Sequence, residues 1–130
     1  MDPVSVLLVD DSPIFLRFAT RFLEESDHGE VVVVGAARGG VEALAEARRL
    51  RPQVILLDLR MPGISGLDAL PLLRDALPEA GIIAVSLFDA GVYRRAALAA
   101  GADDFVSKET LGADLLPAIR RVAEQRAAVK

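Results

Sequence analysis

Short runs of consecutive apolar residues alternate along the chain with segments whose apolar residues recur at helical spacing. A run that is apolar throughout and rich in valine is typical of a strand that is buried on both faces of a sheet. The pattern therefore predicts five strands, at residues 4–9, 30–35, 54–57, 81–86 and 104–107.

Each predicted strand is followed by a segment with the periodicity of an amphipathic helix. The five predicted helices cover residues 12–25, 40–50, 66–77, 90–101 and 112–127. Gly101 is expected to end the fourth helix. Pro71 and Pro117 fall inside helical patterns, where proline removes a hydrogen bond, so we place both in first or second turns.

The first helix has the clearest signal for its start. Ser12 suits the N-cap, and Pro13 suits the first helical position. Phe15, Phe18 and Phe22 recur at helical spacing and are expected to face the core. In the second and last helices, the residues expected to face the core are Val41, Leu44, Leu115, Ile119 and Val122.

Strands that alternate with helices indicate βα units and a parallel sheet, which places the chain in the α/β class. Because helices must cover both faces, the sheet has to reverse its winding at one point. Ligands of open α/β sheets bind at the carboxyl ends of the strands beside that reversal. The residues that follow each strand are therefore the first candidates for a functional site.

Composition narrows the class of protein. With 130 residues, of which 52% are hydrophobic, the chain is expected to form one domain over residues 1–130. A net charge of -4 argues against nucleic-acid binding by this chain, and the absence of cysteine excludes disulfides and thiolate metal sites.

The start of the chain lacks the basic segment of a signal peptide, and no apolar run approaches the ~18 residues of a membrane span. We therefore expect a cytoplasmic protein that does not bind membranes.

Polar residues stand at the carboxyl ends of four predicted strands. Asp10 and Asp11 follow the first strand, and Asp58 follows the third. Ser86 ends the fourth strand, and Lys108 follows the fifth. Three carboxylates, a hydroxyl and an ammonium group would thus share one edge of the sheet.

This set of groups suits phosphoryl transfer. Three adjacent carboxylates repel one another, and a hard divalent cation such as Mg²⁺ relieves the repulsion. A carboxylate beside Mg²⁺ can attack phosphorus and form an aspartyl phosphate. Lys108 would place a positive charge on one phosphoryl oxygen, and Ser86 would donate a hydrogen bond to another.

Each of these residues also has a simpler interpretation. An aspartate after a strand, such as Asp58 or Asp10, is commonly a cap or a turn residue. Ser86 can simply end a strand, and Lys108 can be solvated. The combination of all five at one edge of one sheet favours the functional interpretation.

Four segments carry a resemblance to a known family: "LLVDDSPIF", "ILLDLRMPGISGLDAL", "AVS" and "GADDFVSKE". In this order and spacing they resemble the receiver domain of bacterial two-component response regulators, similar to the chemotaxis regulator, over essentially the whole chain. The "SKE" form followed by "LGADLLPAIRRVAE" is similar to the LuxR/NarL-type subfamily. The resemblance implies a flavodoxin-like (βα)5 three-layer sandwich with a five-stranded parallel sheet in the order 2-1-3-4-5.

The resemblance also assigns the acidic residues. It implies that Asp58 is the phosphoacceptor. It implies that Mg²⁺ is held by Asp10, Asp11, Asp58 and the backbone carbonyl of Arg60. Of the pair Asp10 and Asp11, it is Asp11 that is expected to contact the ion directly.

Three further residues match the switch machinery of the family. Lys108 matches the lysine that contacts the phosphoryl group, and Ser86 matches the switch hydroxyl. Phe105 takes the place of the switch aromatic that packs inward when Ser86 moves. A plain core residue of the fifth strand would also be bulky and apolar, so both roles stay open for Phe105.

The function implied is a switch that is controlled by phosphorylation rather than a dedicated enzyme. Its phosphoryl donor would be a sensor histidine kinase or a histidine phosphotransfer protein. The surface from strand four to helix five would control an output partner or a missing DNA-binding domain, or form a phosphorylation-dependent homodimer. Within the fourth helix, Tyr93, Arg94 and Arg95 are candidates for the output surface, and an ordinary exposed helix face explains them equally well.

Some features depart from the family pattern. Glu109 follows Lys108 where many members have proline, so no cis bond is expected there. We hypothesise that Phe88 and Arg60 border the path of the hydrolytic water and slow phosphate loss. His28 lies in a polar segment and is expected to be a solvated loop residue.

Two other functions are compatible with parts of the pattern. A phosphatase with an aspartyl phosphate intermediate would use the same nucleophile, but it usually carries an acid two residues later, where Arg60 stands here. The chain could also be an interaction module that is independent of phosphorylation, although the full acidic set with Lys108 disfavours this.

Overall fold

The structure is a computed structural model, and it describes residues 2–26, 29–87 and 90–129. His28 and Phe88, for which the sequence suggested a loop position and a role in phosphate loss, lie outside the described residues.

A five-stranded parallel sheet forms the centre of the molecule. Its strands are β1 (Val4–Val9), β2 (Val31–Ala37), β3 (Val54–Asp58), β4 (Gly81–Ser86) and β5 (Asp104–Ser107). They lie in the order β2-β1-β3-β4-β5, and each neighbouring pair is parallel. The expected α/β class and the flavodoxin-like strand order are therefore confirmed. The winding reverses between β1 and β3, which places these two strands side by side in the middle of the sheet.

In the part of the chain that the structure describes, five helices cover the two faces of this sheet. They are α1 (Pro13–Ser26), α2 (Gly40–Leu50), α3 (Gly66–Ala76), α4 (Ala90–Ala100) and α5 (Leu111–Val129). A 3₁₀ turn at Lys108–Thr110 joins β5 to α5. The observed bounds differ from the predicted ones mainly in β2, which runs on to Ala37, and in α5, which begins one residue earlier.

Apolar side chains form two cores, one on each side of the sheet. One core lies against α1 and α5, and it includes Leu23 from α1 with Leu115, Ile119 and Val122 from α5. The second core lies against α2, α3 and α4. Residues of β3 alternate between these cores, with Leu56 on the first side and Leu57 on the second. Burial on both faces explains why β3 reads as a continuous apolar run.

The predicted buried faces of α1 and α2 need correction. Phe18 is 53% exposed and Val41 is 71% exposed. Phe15, Phe22 and Leu44 are partly buried at the margins of the cores, as expected for residues near the core face. The centres of the buried faces are instead formed by smaller or neighbouring residues: Leu16, Ala19, Leu23, Ala43 and Ala47. Alanine lets a helix approach the sheet closely, so the larger side chains lie toward the edges of the contact.

The predicted start of α1, the places of the two prolines inside helices and the glycine after α4 are confirmed. Pro13 begins α1, and Ser12 Oγ accepts a hydrogen bond from Phe15 N at 3.2 Å. Pro71 and Pro117 both lie in second turns of their helices. Gly101 follows α4 with a φ of 118°, a left-handed conformation that glycine adopts without strain.

A charged cluster holds together the end of the molecule opposite the carboxyl edge of the sheet. Asp103, just before β5, accepts hydrogen bonds from Arg74 Nη2 at 2.8 Å and from Ile82 N at 2.9 Å. Its other carboxylate oxygen accepts from Arg126 of α5. Arg74 also donates to the carbonyl oxygen of Ala80 at 2.6 Å. One partly buried network therefore links α3, the start of β4, β5 and α5.

Among the helices in residues 2–26, 29–87 and 90–129, none combines the length and the apolar content that a bilayer crossing requires.

Candidate functional site

The carboxyl ends of β1 and β3 bring three aspartates together. Val9 and Leu57 are paired in the sheet, and each precedes an aspartate, Asp10 and Asp58. One carboxylate oxygen from each of Asp10, Asp11 and Asp58 lies within 4.8 Å of the others. The adjacency of β1 and β3 is thus what converts two distant sequence segments into one acidic cluster.

Asp10 is held rigidly at the end of β1. Its backbone N donates to Ala37 O at 3.0 Å, which continues the pairing with β2. Its Oδ1 accepts from Ser12 N at 2.9 Å, and the residue is buried. Asp11 is half-buried beside it. The second oxygen of Asp10 therefore faces the rest of the cluster.

Asp58 is enclosed at the end of β3. Its side chain is only 8% exposed. Its Oδ1 accepts from Arg60 N at 3.4 Å. Gly63, with a φ of 74°, bends the following segment as expected for a Pro-Gly turn. Asp10, which follows the adjacent strand β1, and Lys108, which follows β5, both lie against this carboxylate and enclose it.

Lys108 reaches back over the sheet edge to this cluster. Its Nζ lies 2.7 Å from Asp10 Oδ2 and 3.7 Å from Asp58 Oδ1. The same nitrogen lies 4.2 Å from the centroid of the Phe15 ring. The sequence pointed to Lys108 but missed Phe15, since nothing in the chain pairs an aromatic residue of the first helix with a lysine after the last strand.

The peptide geometry after Lys108 is regular. All peptide bonds within the described residues are trans, as expected with glutamate in place of proline at position 109. Ser107 Oγ accepts a hydrogen bond from Glu109 N at 3.2 Å. Ser107 thereby caps the 3₁₀ turn that begins with Lys108.

Ser86 is the last residue of β4, and Phe105 lies on the neighbouring strand β5. Asp58 pairs with Val85, so Ser86, which is fully buried, is the next residue along β4. Phe105 is 3% exposed and belongs to the core beside α4. The guanidinium carbon of Arg94 lies 5.4 Å from the centroid of the Phe105 ring, a contact that the sequence did not suggest. Burial fits both roles considered for Phe105, so its part in a switch stays a prediction.

The electrostatics of the cluster are dominated by burial. Burial, which is the largest cause, and the nearby Asp10 carboxylate together raise the pKa of the Asp58 carboxyl, which is about 6. Lys108 and the Arg60 N–H act in the opposite direction and favour the ionised form. The negative charge of an ionised Asp58 is therefore incompletely compensated, and the three aspartates of the cluster offer carboxylate oxygens as ligands. Both properties suit a hard divalent cation.

Comparisons with known proteins place this geometry in a family. A family model described as the response regulator receiver domain matches residues 6–120. The transcriptional regulatory protein MctR of Rhizobium johnstonii is 36% identical over 121 residues, which are 92% of this chain and 55% of MctR. The response regulator GacA of Pseudomonas viridiflava is 37% identical over 119 residues, which are 92% of this chain and 55% of GacA. The chain thus spans about half the length of these curated relatives.

Two solved structures are similar over nearly the whole chain. The signal receiver domain of NarL from Mycobacterium tuberculosis has a TM-score of 0.86 at 33% identity, with 95% of this chain and 98% of that chain covered. The response regulator domain of CheB from Thermotoga maritima has a TM-score of 0.85 at 32% identity, with 94% and 97% covered. The chain therefore belongs to the receiver domain family of two-component response regulators.

Proposed function

We propose that this chain is a phosphorylation-dependent signalling switch in which Asp58 accepts a phosphoryl group. The observation that carries the proposal is the convergence of Asp10, Asp11, Asp58 and Lys108 at the carboxyl ends of strands that are distant in sequence. Carboxylates packed this closely in a partly buried site raise the free energy of the folded state, so a role in binding explains them better than a role in stability.

The donor set of the cluster fits Mg²⁺. We propose that its ligands are Asp10, Asp11, Asp58 and the backbone carbonyl of Arg60. Mg²⁺ prefers oxygen ligands and is commonly bound by one or two carboxylates together with phosphate oxygens. When bound, it would neutralise charge on the transferred phosphoryl group and orient that group.

The nucleophile in this proposal is a carboxylate oxygen of Asp58. It attacks the phosphorus of a phosphohistidine, the bond between phosphorus and the imidazole nitrogen breaks, and the imidazole leaves with the electron pair of that bond. With a pKa of about 6, the Asp58 carboxyl is mostly ionised at neutral pH and is available for attack. The partner that supplies the phosphohistidine is a sensor histidine kinase or a histidine phosphotransfer protein.

Lys108 and Ser86 act on the product of this step. Lys108 Nζ, 3.7 Å from Asp58 Oδ1, is close enough to pair with a phosphoryl oxygen on that residue. Ser86 would donate its hydroxyl to another phosphoryl oxygen, with Phe105 packing behind it. A near-complete shift between two conformations requires about 5 kcal/mol of preference for one of them, and charge-assisted contacts of this kind contribute ~1.5–3 kcal/mol each.

The shift would be transmitted to the surface from β4 to α5. Tyr93, Arg94 and Arg95 of α4 are the candidate residues for contacts with an output partner, with a DNA-binding domain or with a second copy of the chain. Arg94 supports this choice because it links α4 to Phe105, through a hydrogen bond of 3.3 Å from its Nη2 to Phe105 O.

The proposal is tested by incubation of the protein with acetyl phosphate and Mg²⁺, followed by measurement of the intact mass. We expect the added mass of one phosphoryl group, lost in Asp58→Asn and in the absence of Mg²⁺. Asp75→Asn is the matched control, because Asp75 is an exposed aspartate of α3 outside the cluster. This variant should be phosphorylated like the wild type.

Other outcomes would favour the alternative functions. Continuous release of phosphate from small phosphate esters, with no stable adduct, would support a phosphatase. A wild-type mass that never changes, also with a phosphorylated histidine donor, would support an interaction module and refute the proposed switch.

A further inference from the structure

We propose that Phe15 is a positioning residue for Lys108, in which the face of the aromatic ring holds the ammonium group beside Asp10 and Asp58. The inference rests on the proposed function to the extent that Lys108 acts in phosphoryl transfer. The contact between the ring and the ammonium group can be tested without any phosphoryl donor.

The ammonium group of Lys108 is enclosed on three sides. Asp10 Oδ2 lies 2.7 Å from Nζ, Asp58 Oδ1 lies 3.7 Å away, and the Phe15 ring centroid lies 4.2 Å away. A cation within about 6 Å of an aromatic centroid is attracted by the negative face of the ring. The Lys108 side chain is only 14% exposed, so this attraction is less weakened by water than it would be on an open surface.

Backbone contacts fix Phe15 relative to the same carboxylate that Lys108 contacts. Ser12 N donates to Asp10 Oδ1, and Phe15 N donates to Ser12 Oγ. Asp10 therefore holds the start of α1 with one oxygen and the Lys108 ammonium group with the other. Phe15, in the first turn of α1, is thereby brought into contact with Lys108, which follows β5.

The attraction of the Phe15 ring for Lys108 does not depend on the charge of the carboxylates. A divalent cation bound by Asp10 and Asp58 would weaken their attraction for Lys108, because the cation and the ammonium group carry charge of the same sign. The ring of Phe15 is uncharged, so its attraction for the ammonium group persists. It also orders the flexible four-carbon side chain of Lys108 in advance, so that less rotamer entropy is lost when Lys108 contacts a phosphoryl group.

Two substitutions of Phe15 distinguish an effect of the aromatic face from an effect of apolar packing alone. Phe15→Leu keeps an apolar side chain but removes the ring, whereas Phe15→Tyr keeps the ring. Phe18→Leu is the matched control, because Phe18 lies next to Phe15 on α1 at 6.3 Å between centroids but is 53% exposed.

The first measurement is an NMR spectrum of the Lys108 side chain without any phosphoryl donor. We expect the ε-methylene protons of Lys108 to show an upfield ring-current shift in the wild type, in Phe15→Tyr and in Phe18→Leu. The shift should be absent in Phe15→Leu. A Lys108 spectrum that Phe15→Leu leaves unchanged would overturn the proposal.

The second measurement is the rate of phosphorylation by acetyl phosphate. We expect Phe15→Leu to lower the rate roughly threefold to tenfold, with Phe15→Tyr and Phe18→Leu within about twofold of the wild type. In a Lys108→Met background, Phe15→Leu should cause no further loss, since its partner has already been removed.

The two measurements also separate this inference from the proposed function. An equal loss in the Lys108→Met background would show that Phe15 acts through the fold rather than through Lys108, and would refute the positioning role. If the wild type is not phosphorylated at all, the proposed function fails, while the Lys108 spectrum still decides whether the ring holds the ammonium group.

Discussion

Gly66 lies so close to Asp58 that a Cβ atom at position 66 would stand 1.8 Å from the carbonyl oxygen of Asp58. This is far shorter than any contact that a Cβ atom can make, and the neighbouring atom is backbone, which cannot swing away. The first residue of α3 must therefore be glycine for the helix to begin directly beneath the strand end that carries Asp58.

Gly66→Ala should consequently destabilise the protein and displace the end of β3. We expect a loss of about 1–3 kcal/mol in the free energy of unfolding, as is typical of overpacked sites. Urea denaturation measures this loss. Gly112→Ala is the control, because a Cβ atom at position 112 of α5 meets nothing within 4 Å. That variant should be as stable as the wild type or slightly more stable, since alanine favours helices over glycine.

Asp58→Asn should stabilise the metal-free protein at neutral pH. The pKa of Asp58 is raised in the folded state, from 3.8 to about 6, mainly by burial. A raised pKa means that the favourable contribution of the protonated group is fully present below about pH 4 and is lost as the pH rises through about 6. Asparagine resembles the protonated carboxyl, so the variant should gain about 2–3 kcal/mol relative to the wild type above pH 7.

The measurement is urea denaturation of both proteins with EDTA, at about pH 4 and about pH 7.5. The two proteins should have similar stability at the lower pH and diverge at the higher pH. Addition of Mg²⁺ at the higher pH should stabilise the wild type more than Asp58→Asn and narrow the difference. A gap that is independent of pH would contradict the assignment of the effect to the Asp58 carboxylate.

Asp103→Asn should be strongly destabilising, although it lies at the end of the molecule away from the acidic cluster. Its carboxylate accepts from Arg74, Arg126 and Ile82 N, and its side chain is only 16% exposed. Removal of the negative charge leaves two partly buried guanidinium groups without compensation. We expect a loss of ~2–3 kcal/mol in the free energy of unfolding.

Thermal or urea unfolding tests this expectation against an exposed ion pair. Glu46 and Arg49 form such a pair on α2 at 2.7 Å, with the Arg49 side chain 65% exposed. Glu46→Gln should change the unfolding midpoint little, because exposed pairs are screened by water and salt. Equal effects of the two substitutions would show that the Asp103 cluster has no special stabilising role.

Arg94→Met should change the environment of the Phe105 ring. The guanidinium group lies over the ring, and its Nη2 donates to Phe105 O, so the arginine holds β5 and α4 together around this residue. We expect shifted and broadened Phe105 ring signals in NMR spectra, with the fold retained. Arg95→Met, at the exposed neighbouring position of α4, should leave these signals in place. Unchanged Phe105 signals in Arg94→Met would argue against a coupling between α4 and this ring.

Much of the fold follows from local patterns in the chain. Consecutive apolar residues such as 54–57 predicted strands because both faces of a central strand are buried, and Ser12 with Pro13 predicted a helix start because of their backbone preferences. Helical faces were predicted less well. Phe18 fits the periodicity but is exposed, because a helix packs on the sheet through the side that allows the closest approach, and in α1 that side carries Ala19.

In the candidate site, too, some features were predicted from the sequence and others were not. Strand ends predicted the residues of the site, and the family resemblance predicted their roles and the strand order. Neither predicted the ring of Phe15 against Lys108, the guanidinium of Arg94 over Phe105 or the enclosure of Asp58. These contacts join residues whose separation along the chain carries no local signal.

By itself, the sequence determined which segments form strands and helices and which polar residues stand at the strand ends, because hydrophobic periodicity and backbone preference act within a few residues. Only the tertiary structure decided how those ends meet. The order of the strands in the sheet sets the distances between Asp10, Asp58 and Lys108, and those distances, with the exclusion of water, control the pKa of the Asp58 carboxyl.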